Sequence, residues 1–224
     1  ISAQEEETEK ESAITVKKES LPKDVKKSLA FLLLSVAFWF MGYNAVTTAF
    51  SKYAQSYWKL EGGEFAYSLL IGTGAAILSY IPVGMIATKI GRKKTILFGV
   101  ALLGILFTAA TFFITFHPII NVMFALVGIA WAAINVNSYP MVVEMGKGSD
   151  VGKFTGFYYT FSMAAQIVTP ILSGFLLEHV GYYTLFPYAA IFVILAFITM
   201  LFVKHGDSRP APAKTKLEAF DTAD

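Results

Sequence analysis

Cysteine is absent from this 224-residue chain, which rules out disulfides and thiolate metal sites. Charge is scarce as well: 15% of residues are Asp, Glu, Lys or Arg against 55% hydrophobic, and mean hydropathy is +0.58. A soluble domain carries more charge and spreads it over its surface. Here the charges crowd into residues 1–27, residues 204–224 and a few short islands. The net charge of +2 does not point to nucleic acid. Also missing are a Gly-rich phosphate loop, a paired His/Glu metal spacing and a G-x-S-x-G nucleophile motif. No cofactor, metal or catalytic constellation is therefore expected, and an enzyme is the least favoured class. Position 1 is Ile rather than Met, and the opening residues lack the apolar core of a signal peptide. Residues 1–27 read as a solvated, disordered linker, 204–224 as a polar tail, and the chain as a piece of something longer or a processed product.

What is present is six charge-free runs: residues 28–51, 65–88, 95–116, 118–143, 154–177 and 180–203. Each can cross about 30 Å of hydrocarbon as a helix. Lipid forces the backbone to satisfy itself, and alternating barrel strands are not seen. The expectation is an all-α membrane protein of six transmembrane helices. With the N-terminus inside, the inner loops hold Lys23, Lys26, Lys27, Lys89, Arg92, Lys93, Lys94, Lys147, Lys153, Lys204 and Arg209, and the outer loops hold only Lys52 and Lys59. Placing Lys89, Arg92, Lys93 and Lys94 at mid-bilayer would cost roughly 10 kcal/mol, so both termini are expected in the cytoplasm. Tyr53, Tyr57, Trp58, Tyr182 and Tyr183 then fall at the outer ends, where an aromatic belt would lie.

The spans differ in polarity. The third and sixth are bulky and apolar, and the second is rich in small residues. The first, fourth and fifth carry the amides Asn44, Asn121, Asn135, Asn137 and Gln166. Amides avoid lipid, so the order polar, small, greasy, then polar, polar, greasy fits two three-helix inverted repeats. In the fifth span Tyr159, Ser162, Gln166, Thr169 and Ser173 follow helical spacing. Either they line an aqueous path, or the hydroxyls bond their own backbone and Gln166 bridges to a neighbouring helix. In the fourth, Trp131, Asn135 and Ser138 or Tyr139 share a face, and Pro140 is expected to kink it. An aromatic plate beside amides suits a sugar; the alternative is packing plus a helix–helix hydrogen bond. Phe40, Asn44, Thr47 and Ser51 make a weaker stripe in the first. No carboxylate lies deep in any span. Glu144 pairs with Arg92 or Lys93, or is simply a solvated helix end.

Gly84-Met-Ile-Ala-Thr88-Lys89-Ile-Gly91-Arg92-Lys93 resembles the loop motif of the major facilitator superfamily, G-x-x-x-D-x-x-G-R-[RK]. The resemblance implies a twelve-helix fold in two six-helix halves, with this loop joining the second and third helices of a half. It implies that Gly84 and Gly91 allow close approach and a tight turn, and that Arg92, Lys93 and Glu144 act at an inner gate. Thr88 stands where the motif has an acid, as in the degenerate second copy, so the chain resembles the C-terminal half. The segments "FWFMGYNAVTTAF", "INVNSYPMVVEM" and "GFYYTFSMAAQIVTPILSGFL" look like bacterial relatives of the sucrose/maltose–proton symporters, within the glycoside–cation symporter group. That implies proton-driven sugar uptake across the plasma membrane by alternating access, with a companion N-terminal half supplying the coupling carboxylate. Asn44, Trp131, Asn135, Tyr159, Ser162 and Gln166 are the expected solute contacts. A carrier for another solute such as a drug, and a non-transporting six-helix scaffold or sensor, are the rival readings.

Overall fold

A computed structural model of the chain describes residues 21–146 and 150–207. The linker up to residue 20, Lys147 and the tail beyond 207, with Arg209, lie outside the described residues. Six long helices carry the fold: α1 Lys23–Ser56, α2 Phe65–Ile90, α3 Arg92–Ala110, α4 Ile119–Val143, α5 Val151–His179 and α6 Leu185–Leu201, the last preceded by a short turn of 3₁₀ helix at Tyr182–Thr184. Each is long and apolar enough to cross a membrane, α6 when taken with that turn. No strand occurs among the described residues.

Several boundaries depart from the charge-free runs, while α4 keeps to its own. α1 starts at Lys23, directly after Pro22, because a fixed proline φ suits a helix start and three lysines can reach water from the first turns. α3 ends at Ala110 rather than near residue 116. The following Thr-Phe-Phe-Ile-Thr-Phe run is β-branched and aromatic, with poor helix propensity, and Pro118 closes it. The Trp58 indole N–H donates to the freed Phe113 carbonyl at 2.9 Å. α4 continues through Pro140 and stops three residues later.

The helices are interleaved rather than stacked as two units. α1 packs most extensively on α6 and α5, and α4 on α2 and α3, while α3 and α6 touch each other. Exchanging α1 with α4, α2 with α5 and α3 with α6 maps this pattern onto itself. That is the signature of two inverted three-helix repeats, since an odd number of spans makes the second repeat enter from the opposite side. The tightest contact joins α2 to α4. A Cβ on Gly128 would lie 2.0 Å from the Gly72 carbonyl oxygen, so the two backbones meet where only glycine fits. Gly84, expected to serve such an approach, does not: a Cβ there would sit 3.6 Å from Val136, an ordinary contact.

The core is apolar and aromatic. Trp39, Phe50, Tyr53, Phe107 and Phe186 are fully or almost fully buried. Tyr53 and Trp58 therefore correct the expected aromatic belt. They turn inward: Tyr53 meets Trp58 and Phe186 edge-on, with ring centroids 5.0 and 5.1 Å apart, and Trp58 stacks on Phe186 at 6.2 Å. Tyr183 remains exposed. The least buried helices are α2, with 17% of its apolar stretch buried, and α5, with 28%, against 44–56% for the others. Both leave apolar side chains such as Leu78, Ile81, Ile167 and Ile171 uncovered.

Candidate functional site

Two groups of residues can carry function, one at mid-helix and one at the end where α1 and α3 begin. The first centres on Trp131, the middle residue of α4. Its indole lies flat on the Tyr43 ring of α1, with centroids 3.7 Å apart and planes 4° from parallel, and Phe40 meets it edge-on at 5.2 Å. Tyr43 thus covers one indole face, which the spacing of α1 and α4 could not announce. The indole N–H of Trp131 has no acceptor among the described residues. One turn on, Asn135 is half-buried and its amide likewise has no partner there. Asn137, by contrast, is buried and donates to the Ala133 carbonyl at 2.9 Å.

Next along α4, Ser138 and Tyr139 tie this surface to α5. Ser138 hydrogen-bonds the Tyr158 hydroxyl at 3.0 Å, and the Tyr139 hydroxyl bonds that of Thr155 at 3.0 Å. Tyr139 also packs against Tyr159, with centroids 6.1 Å apart. Tyr159 is about half exposed and Gln166 is exposed on the same flank of α5. The Gln166 amide donates to the Ser162 carbonyl at 3.3 Å. Pro170 has no N–H to give the Gln166 main-chain carbonyl, so this position offers an extra acceptor near the middle of α5. Asn44 donates to the Phe40 carbonyl at 2.8 Å, leaving its side-chain oxygen as the group it can offer.

The five-residue stripe of α5 divides. Tyr159 and Gln166 stay open, while Ser162, Thr169 and Ser173 are buried, at 2%, 0% and 1% exposure. Ser162 donates to the Tyr159 carbonyl and Thr169 to the Ala165 carbonyl, the backbone-satisfied alternative for hydroxyls in a helix. α1 is the helix against which α5 packs most extensively. The structure thus gathers Trp131, Asn135, Tyr139 and Tyr159 along one surface of α4 and α5, with Asn44 one residue from Tyr43. Ser162 lies inside the bundle, away from that surface.

The second group is built on Gly91, the single residue between α2 and α3. Its φ of +100° reverses the chain at no side-chain cost. Arg92 then reaches Glu144 at the end of α4, N–O 2.6 Å, with both side chains under a third exposed. Of the open readings for Glu144, it is the pairing with Arg92 that the structure contains. Lys93 goes elsewhere: its ammonium donates to the Leu201 carbonyl at 3.1 Å and to that of Val203, neutralising the negative end of α6. In return Asp207 accepts the Lys93 backbone N–H at 3.3 Å and sits at the positive start of α3. Each helix terminus is capped by a charge from the other's chain segment. Thr88 takes no part; its hydroxyl bonds the Met85 carbonyl and faces out. Asp207 carried no signal in the sequence, because nothing local ties it to residue 93. Close by, Ser28 hydrogen-bonds His205 Nδ1 at 2.9 Å and accepts the Lys204 N–H, and His205 Nε2 lies 3.3 Å from Asp24.

Comparison with known proteins bears on this arrangement. Residues 32–222 match the family model described as Major Facilitator Superfamily. An uncharacterized protein of Bacillus subtilis, YqgE, is 28% identical over 202 residues, covering 83% of this chain and 44% of its own length. An uncharacterized MFS-type transporter of Methanocaldococcus jannaschii is 28% identical over 123 residues, 55% of this chain and 30% of its own. One from Schizosaccharomyces pombe is 29% identical over 125 residues, 54% of this chain and 27% of its own. The chain thus spans less than half the length of these curated relatives. Six membrane-spanning helices in two inverted repeats, a Gly91-Arg92-Lys93 turn between α2 and α3, and a family match over most of the sequence place the chain in the major facilitator superfamily of membrane transporters.

Proposed function

We propose that this chain forms one six-helix half of a secondary carrier that moves a sugar, a disaccharide or other glycoside, by alternating access and with proton coupling. The observation that carries the reading is the pair of unpartnered polar groups at the middle of α4, the Trp131 N–H and the Asn135 amide. An unsatisfied polar group facing hydrocarbon costs several kcal/mol, so these two belong against water or a polar solute. Trp131, Tyr139 and Tyr159 supply ring surface and Asn44, Asn135 and Gln166 supply amide groups, a mix that fits a ring with an apolar face and a hydroxyl rim. The exposed apolar faces of α2 and α5, and the relatives' greater length, support a companion half that completes the cavity. The coupling carboxylate is assigned to that half, because no Asp or Glu lies mid-span among the described residues. Arg92, Lys93 and Glu144 act as an inner gate at the cytoplasmic side of the plasma membrane.

A second reading draws on the same surface. Phe40, Tyr43, Trp131, Tyr139, Tyr158 and Tyr159 make it dense in aromatic rings, which also suits a flat, drug-like solute. Uptake of radiolabelled mono- and disaccharides by the full-length transporter decides. Asn135→Ala should lower sugar uptake at least about tenfold, the worth of one good polar contact, at unchanged membrane abundance. A cysteine at 135 should react with a water-soluble thiol reagent and be protected by the transported sugar. Protection by aromatic cations but by no sugar favours the drug carrier. A cysteine at 135 that stays unreactive, with no uptake of any solute, favours the scaffold reading.

A further inference from the structure

The basic end of the bundle holds more cations than its own acids can use. Arg92 is paired with Glu144, Lys93 with the end of α6, and Asp24 with His205. Lys27, Lys94 and Lys204 are exposed and have no acidic partner among the described residues. The chain brings these three to one rim. Lys94 follows Lys93, whose ammonium touches the Val203 carbonyl. Lys204 follows Val203 and its N–H donates at 3.0 Å to Ser28, the neighbour of Lys27. Lys27 also stands one helical turn before Phe31, whose ring stacks on Phe202 of the segment after α6, centroids 5.2 Å apart.

Directly below this rim runs an apolar groove. On α3, Lys94, Phe98, Ala101, Ile105, Thr108 and Phe112 are spaced 4, 3, 4, 3 and 4, so they share one face. The last four of these line a groove of about 570 Å³ whose opposite wall is α6, at Ile194 and Phe197. Thr108 carries the one polar side chain in its lining. Ala101 is seven helical residues past Lys94, so on the α3 wall the groove opens about 10 Å below the cations, and on the other wall Phe197 lies about one turn before the end of α6. Half a hydrocarbon core is about 15 Å deep, which puts that opening within reach of a lipid from the same leaflet.

We propose that the seam between α3 and α6 is a binding site for one anionic phospholipid, its phosphate headgroup on Lys27, Lys94 and Lys204 and one acyl chain in the groove. Uncompensated positive charge at the rim selects an anionic headgroup over a zwitterionic one, and the groove selects a lipid over a free phosphate. The site does not depend on which solute is carried.

Native mass spectrometry of the full-length transporter tests this, with phosphatidylglycerol and phosphatidylcholine of identical chains as probes. Phosphatidylglycerol should bind at least about tenfold more tightly. Replacing Lys27, Lys94 and Lys204 together by Gln should abolish the preference. The same charge change at Lys52, Lys59 and Lys153 should keep it. Ala101→Phe, which fills the groove and leaves the cations, should weaken phosphatidylglycerol by a similar factor, with circular dichroism confirming that each variant folds. Equal affinity for the two lipids, or a preference that survives the Lys27/Lys94/Lys204 change, overturns the proposal. So does displacement of the lipid by millimolar glycerol 3-phosphate, because the headgroup alone would then suffice.

Discussion

At Asn135 the amide has nothing in the bundle to bond, whereas Asn137, two residues on, bonds the Ala133 carbonyl and is buried. Two identical side chains in one helix therefore have opposite consequences. Asn137→Ala removes a buried hydrogen bond and leaves a small void, and should lower stability by about 1–2 kcal/mol. Asn135→Ala removes no side-chain hydrogen bond to the described residues and should leave the thermal midpoint of the detergent-purified protein within a degree while reducing transport. A stability loss at 135 equal to that at 137 would show that Asn135 serves the fold. The same contrast explains what was legible at this scale. That amides matter in hydrocarbon follows from their chemistry; which of them is already satisfied depends on geometry. Asn44 and Gln166 each donate to a carbonyl four residues back, so their spacing alone could not separate a solute contact from a self-satisfied one.

At the scale of the element, the helices were legible because charge-free length is what a bilayer demands. Their contacts were not. The sequence showed the second span to be rich in small residues but not what they meet; the structure sets Gly72 against Gly128. Gly128→Ala would press a methyl against the Gly72 backbone and should cost roughly 1–3 kcal/mol, the range for overpacking. Gly74→Ala, where a Cβ meets nothing within 4 Å, should be close to neutral. Thermal unfolding of the two variants checks this, and equal effects would mean that helix propensity rather than packing governs. The fifth span teaches the complementary lesson. Its polar spacing marked a real helix face, yet Ser162, Thr169 and Ser173 are buried while Tyr159 and Gln166 remain open. A stripe of residues three and four apart is wide enough to straddle the boundary between a packed and an open face.

At the scale of the whole molecule, two kinds of exposed apolar surface look alike by composition. Leu78 on α2 is 80% exposed and Ile105 on α3 is 66% exposed. In the proposed assembly the first is covered by the companion half and the second faces lipid. Tryptophan placed at each position in the full-length transporter should separate them. Brominated lipid should quench Ile105→Trp strongly and Leu78→Trp little. Equal quenching would mean that α2 meets lipid and that no companion covers it. The interleaving of the repeats gives this test its meaning, since α3 and α6 are held together by α1 and α4 while α2 and α5 stand at the flanks.

Hydrophobic length and the placement of lysines were enough to set the number of spans, and the Gly84–Lys93 motif was enough to identify the family, because a bilayer imposes one-dimensional constraints that a sequence can state directly. The pairing of Arg92 with Glu144, the exchange of caps between α3 and α6 through Lys93 and Asp207, and the stacking of Tyr43 on Trp131 join residues 52, 114 and 88 positions apart. Such contacts depend on where helices cross in three dimensions. Only the folded bundle decides which polar groups are already satisfied and which have no partner within it.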